Sequence, residues 1–384
     1  MKTSVVIFLS VIALTSCQSK PTNLEDTPGG DTYGFLPPPV WNASMQNLKQ
    51  DMLTLEPFIF DKARFIDPAN HEFLSKEIHK LAVESKNVKH DPVILTKDPT
   101  VRFVAEQFAD ELQKADENFK AGWPDYTRWQ LAKVTSFCLE CHTRIRQGPE
   151  FNPRDTARPF LNTLPVAEQI EFRIAFRQFN LAYGLALKNL QQIQSSTMVH
   201  EDADRIARLA LLVSVQHMQD IEKTKKIIQA IERNSTLPLY LKKTNKLWKK
   251  SVAVWNPNEV FNQLPAIRNL ISTRVSEIED MRAIPALLRL LTEGQNRSEL
   301  GESLFLTGES YESLNKISMM SLHENYYESC VRKAPRTKWA QLCFDKLSNS
   351  VALSYSGSGG TRIPRDIKNR MEELQKVIQR PVIE

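Results

Sequence analysis

Apolar residues recur every third or fourth position along almost the whole of this 384-residue chain, and it holds only 12 glycines. That spacing belongs to helices buried on one face. In 41–60, Met45, Leu48, Met52, Leu55 and Ile59 step along one side of a helix, with Pro57 placed to kink its end. A second helix fits 70–87, with Leu74, Ile78 and Leu81 inward. Asp-Pro-Thr at 98–100 opens a third, through Val104, Phe108 and Leu112 to about Phe119. A fourth starts near Pro124, which suits a first turn, and carries Tyr126, Trp129 and Ala132 toward residue 136. No alternating strand pattern interrupts this region. Residues 148–165 hold four prolines and form a natural boundary. Beyond it the spacing predicts helices over roughly 166–195, 200–232, 237–254, 258–276 and 282–293. The expected class is all-α.

The fourth segment ends in "SFCLECHTRIR", residues 136–146. Cys-x-x-Cys-His is the shortest sequence that specifies covalent attachment of haem c. Two thiols must reach the vinyl groups on one porphyrin edge, and an imidazole must reach the iron. Cys138, Cys141 and His142 stand at i, i+3 and i+4, which a helix brings to one face. The alternatives are a zinc half-site and a redox dithiol. Zinc calls for a second Cys/His pair, and there is no second Cys-x-x-Cys; a thioredoxin-like dithiol calls for a βαβ context, which is not visible. One motif predicts one haem c, with His142 as the proximal iron ligand.

Haem c is assembled outside the cytoplasm, so the N-terminus matters. Lys2, an apolar run from Val5 to Ala13 and "LTSC" at 14–17 follow in order. The run is too short for a stable span and suits a signal peptide, 1–16. "LTSC" resembles the lipobox of bacterial lipoproteins, which implies that Cys17 is lipidated and becomes the new N-terminus. The alternative is an ordinary cleaved signal with an incidental cysteine. Gln18, rather than Asp, implies the periplasmic side of the outer membrane of a Gram-negative bacterium. Residues 17–40, rich in Pro, Gly and polar side chains, read as a flexible tether. Of the five cysteines, one takes lipid and two take haem. In an oxidising periplasm the remainder, Cys330 and Cys343, reads as a disulfide.

With the motif closing a four-helix unit, region 41–147 resembles the cytochrome c′ family of four-helix-bundle cytochromes and its low-spin relatives. The family carries Cys-x-x-Cys-His on its last helix, followed by an aromatic and an arginine. Here Arg146 holds the arginine position, near the proximal imidazole in that family, while Ile145 replaces the aromatic. In the low-spin relatives a methionine early in the first helix closes the iron, which makes Met45 the candidate distal ligand; in cytochrome c′ proper that side is vacant. The alternative to Met45 ligation is core packing. His71, His79 and His90 are weaker candidates. The rival fold, a small cytochrome c with Met198 as ligand, needs loops that the helical spacing after 147 lacks.

The expected second domain, 166–384, is a helical-repeat region. Leu304, Gly308 and Tyr311, then Tyr327, Cys330 and Pro335, resemble one tetratricopeptide repeat within 298–345. Such repeats stack into solenoids whose faces dock proteins, and simple structural support of the haem domain is the alternative. "LKKTNKLWKKSVAVW" at 241–255 has five lysines and no acid. A solvated helix face is its simplest reading, with an acidic partner or anionic head groups as alternatives. "SGSGGT" at 356–361 lacks the Gly-Lys-Ser/Thr ending of a phosphate loop and reads as a turn. A net charge of +5 with 25% charged residues implies no nucleic-acid partner, and no hydrolase triad or paired-carboxylate site is visible. The expectation is a non-enzyme: a membrane-anchored monohaem cytochrome transferring single electrons to a periplasmic redox partner. A module binding nitric oxide or carbon monoxide and a haem-stapled scaffold are the alternatives.

Overall fold

The structure, a computed structural model, describes residues 39–59, 61–89, 99–142, 161–162, 164–192, 200–291, 293, 295–314, 322–358 and 360–379. The expected signal peptide, Cys17, nearly all of the tether, His90, Arg146, Met198 and most of the 148–165 linker lie outside the described residues.

Among the described residues the fold is all-α. The helices of the first part are α1 (Pro39–Ile59), α2 (Lys62–Ile66), α3 (His71–Lys89), α4 (Pro99–Lys120) and α5 (Pro124–His142). α1 buries Leu48, Met52, Leu55 and Ile59, and α3 buries Leu74, Ile78 and Leu81. α2 and the 3-10 turn Pro68–Asn70 were not apparent from spacing. Each is capped by an aspartate, Asp61 accepting from the Arg64 N–H and Asp67 from the Ala69 N–H. Such caps satisfy donors that a helix start leaves open.

Four of these helices pack as successive neighbours, α1 on α3, α3 on α4 and α4 on α5, and α1 also meets α5. Their cross-contacts run in opposite senses along each pair. Phe58 lies 5.3 Å from Phe73, ring to ring, while Asp51, earlier in α1, binds Lys80, later in α3. Between α4 and α5, the Asn118 amide donates to Gln130 at 2.9 Å and Phe108 lies 6.1 Å from Phe137. Between α3 and α4, His71 stacks on Phe119 and His79 pairs with Asp116. Each helix is therefore antiparallel to the one before it.

The second part contains α6 (Val166–Ala175), α7 (Phe179–Gln192), α8 (His200–Leu211), α9 (Ile221–Arg233), α10 (Leu239–Ala253), α11 (Leu264–Ser272), α12 (Glu277–Leu290), α13 (Arg297–Ser313), α14 (Leu322–Lys333), α15 (Lys338–Ser354) and α16 (Arg365–Gln379). Two long helices expected from spacing are each divided. In place of one helix over 166–195, Arg177 takes a left-handed φ of 56° and ends α6. The Gln178 N–H reaches back to the Arg173 carbonyl and the Arg177 N–H to Ile174, a helix stop made without glycine. In place of one helix over 200–232, a π-helical turn at Leu212–His217 leads to Gln219 at φ 51°. Asp220 then caps α9, accepting from the Lys223 N–H at 2.9 Å. The apolar face continues across both breaks, so spacing cannot detect them. Within 356–361, β1 (Ser356–Gly357) and β2 (Gly360–Thr361) pair antiparallel, with Ser356 opposite Thr361.

α13 and α14 approach closely because Gly301 and Gly308 offer no side chain. A Cβ on Gly308 would come within 2.4 Å of the Tyr327 ring, and one on Gly301 within 2.8 Å of Ala334. Tyr327 is buried and its hydroxyl donates to Glu312 at 2.7 Å. Burial, then Glu312, pushes its phenol far above the ordinary tyrosine range. A disulfide joins Cys330 of α14 to Cys343 of α15. One hydrophobic core runs from Leu48 of α1 to Leu374 of α16. The buried hydroxyls of Thr100 (α4) and Tyr326 (α14) lie 3.1 Å apart within it.

Gly308→Ala should cost about 1–3 kcal/mol, since the added methyl overlaps a pinned aromatic ring. Gly184→Ala, on the exposed side of α7 with nothing within 4 Å, should instead gain about 0.5–1 kcal/mol. Denaturant unfolding of the two variants checks both signs.

Candidate functional site

Helix α5 continues without a break to His142, so Cys138, Cys141 and His142 do occupy helical positions i, i+3 and i+4. Their side chains lie outside the described residues. The helix is anchored from its other end, where the Arg128 guanidinium donates to the Ile59 carbonyl at 3.0 Å and Lys62 pairs with Asp125 at 3.0 Å.

The antiparallel register sets which residues share the level of the motif. From Ile59 back along α1 to Met45 is fourteen residues, and from Arg128 forward along α5 to His142 is also fourteen. At 1.5 Å per residue both steps cover about 21 Å. The other pairs agree. Four residues beyond Phe137 is Cys141, and four before its partner Phe108 is Val104. Six residues before Asp51 is Met45, and six beyond its partner Lys80 is Lys86. Met45, the 82–86 segment of α3, Val104 and the last turn of α5 therefore stand at one level.

The interior at and next to this level is mainly apolar, although the small hydroxyl side chains of Ser44 and Ser85 are buried there too, Ser85 donating to the Ala82 carbonyl. Leu48 and Met52, Ala82, Val104 and Phe108, and Val134 and Phe137 are all buried. Met45 is half-buried and packs against the same core. Further along, two acids are sunk beneath basic partners. The Asp51 side chain is 1% exposed under Lys80, and its hydrogen bond and charge raise the Lys80 ammonium above its ordinary value. Asp116, 2% exposed, accepts from Lys120 at 2.8 Å and meets the His79 ring at 2.8 Å.

Of the weaker histidine candidates, the two described ones, His71 and His79, stand apart from that level. His71 is exposed and stacked on Phe119 with centroids 4.8 Å apart, and His79 is exposed and engaged with Asp116. Tyr126 and Trp129, expected along the approach to the motif, are 51% and 48% exposed and stack on each other. Among the described residues of α5, Thr127, Gln130, Leu131, Val134 and Phe137 are buried. The three-residue steps from Leu131 to Val134 to Phe137 were the available signal. Asp51 was overlooked as a core position, although it lies three residues after Leu48 and four before Leu55 on the inward stripe.

Among the described residues, no group of three or more His, Cys, Asp or Glu side chains is arranged to hold a metal ion. None of their helices is long and apolar enough to cross a membrane. Comparison with protein-family models, curated proteins and solved structures returned no match.

The register makes its own prediction. A double-mutant cycle of Asp51→Asn and Lys80→Gln should show a coupling of roughly 1 kcal/mol in denaturant unfolding, since one partner is buried and the other half-exposed. A coupling indistinguishable from zero would break the α1–α3 alignment.

Proposed function

We propose that this chain is a membrane-tethered monohaem c-type cytochrome that carries single electrons. The reading rests on one observation, the Cys138-x-x-Cys141-His142 motif at the end of α5, at the level of Met45 in α1. The residues present fit the group. The two cysteines and the histidine occupy one continuous helix at the required spacing, and all four helices contribute buried apolar side chains near it, Leu48 and Met52, Ala82, Val104 and Phe108, and Val134 and Phe137. Haem supplies iron that cycles between the ferrous and ferric states.

In this reading Cys138 and Cys141 would hold the porphyrin through thioether bonds, and His142 would bind its iron. Arg146 sits near that imidazole, as the resemblance to the cytochrome c′ family implies. Met45 would be a second ligand to the same iron, and a thioether ligand favours the reduced state and raises the potential. Phe108, Phe137, Leu48 and Met52 exclude water from the same interior. Helices α1, α3, α4 and α5 act as the four-helix bundle. Cys17, lipidated, tethers the protein to the periplasmic side of the outer membrane. The α13–α14 hairpin, with Tyr327 packed over Gly308, supports a tetratricopeptide-like docking role for the second part.

A second reading has its own support, because Met45 packs against the main core. If that packing is its whole role, the distal side of the iron is open and suits a small gas. Absorption spectra of the holoprotein, oxidised and reduced, with and without carbon monoxide, separate the two. The expected result is a six-coordinate low-spin spectrum that Met45→Ala converts to high-spin. High-spin iron that takes up carbon monoxide in the unaltered protein removes Met45 as ligand. Cys138→Ala with Cys141→Ala should abolish covalent haem on denaturing gels after expression with a maturation system. For the anchor, Cys17→Ser should move the protein from the membrane fraction to the soluble one under physiological salt.

A further inference from the structure

Helix α10 carries five lysines and no acid, and the structure separates its two faces. Leu241, Asn245, Trp248, Ser251 and Val252 are buried against the body of the protein. Trp248 is fully enclosed, and Asn245 donates to the Ile228 carbonyl at 3.1 Å. The outer face is not simply hydrated. Tyr240, Leu247 and Val254 are 46%, 42% and 73% exposed, and Leu239 at the helix start is 69% exposed.

Tyr240, Leu247 and Val254 are seven residues apart, two helical turns each, so they form one line along the outside. Lys243 and Lys250, each three residues after a member of that line, form a second line beside it, with Lys246 next to them. Lys249 is paired with Glu232 at 2.7 Å and Lys242 is bound to the Ser235 carbonyl. Lys243, Lys246 and Lys250 have no acidic partner among the described residues and are directed to solvent.

We propose that this face of α10 is a contact surface for an anionic phospholipid bilayer. The apolar line enters the head-group boundary and the lysines reach the phosphates. Charge complementarity selects a negative partner. The choice of cation then selects lipid over protein. Protein interfaces are depleted in lysine and enriched in arginine, and α10 has five lysines and no arginine. Lysine stems lie along apolar surface while their ammonium groups reach outward, the habit of helices lying on membranes. A merely solvated helix face has no use for an exposed apolar line at two-turn intervals. The contact rests neither on haem nor on Cys17. A tethered protein with this face would lie against its membrane rather than hang from it, since one lipid signal and a basic patch reinforce each other.

The test uses full-length holoprotein carrying Cys17→Ser, so that no acyl chain contributes. It is sedimented with phosphatidylcholine vesicles and with vesicles containing an equal share of phosphatidylglycerol. Binding to the anionic vesicles alone is expected, weakening as salt rises. Lys243→Gln, Lys246→Gln and Lys250→Gln together should weaken it about a hundredfold, at about fivefold for each lysine near an anionic surface. Leu247→Ser with Val254→Ser should also weaken binding while leaving its salt dependence in place. All five positions face solvent, so unchanged circular dichroism and thermal unfolding keep loss of fold from imitating the result. Equal binding to both vesicle types, or binding that survives the lysine substitutions, overturns the proposal. Absence of binding to anionic vesicles overturns it in favour of an acidic protein partner.

Discussion

The antiparallel register of α1, α3, α4 and α5 is the constraint on which the candidate site depends. Each helix buries one apolar stripe against its neighbours, and a residue's level is then set by where a few pairs meet. Phe58 with Phe73, Asp51 with Lys80, Asn118 with Gln130, Phe108 with Phe137 and Arg128 with the Ile59 carbonyl fix those meetings. Slipping α1 by one turn would move Met45 about 5 Å away from the level of His142. It would also pull the buried Asp51 from Lys80, leaving a charge without its partner, a costly arrangement in a protein interior. The polar pairs add little to net stability but disfavour alternative registers that an apolar stripe alone tolerates.

The two halves are tied by the same physics. Their apolar faces merge into one core, and the hydroxyls of Thr100 and Tyr326 meet inside it, so α4 and α14 bury polar atoms together. Tyr326 in turn stacks on Tyr311, with ring centroids 5.3 Å apart. α13 and α14 sit close because two glycines face Tyr327 and Ala334, and the disulfide ties α14 to α15. The second part therefore braces the first through α14 while leaving α10 with an outer face of its own.

Much of the local structure was legible. The stripe Leu48–Met52–Leu55–Ile59 marked α1, and Pro99 and Pro124 marked the starts of α4 and α5. The breaks at Arg177 and Gln219 were not legible, because the stop is a backbone conformation taken by residues with no special preference for it. That Tyr126 and Trp129 stack on the outside of α5 was not legible either, for a different reason. Large aromatics favour burial on average, but the face that turns inward is chosen by packing with α4, through Phe108 and Phe137.

By itself the sequence determined the all-α class and the positions of most helix starts, because periodicity and proline geometry are local. It also carries the Cys-x-x-Cys-His spacing at 138–142, which is a local property of one helix. Only the tertiary structure decided that Met45 stands level with that motif, that two aspartates lie buried under basic partners, and that α10 turns a lysine-lined apolar row outward. Those are relations between helices, set by which stripes pack together and at what register, and no single segment of chain carries that information.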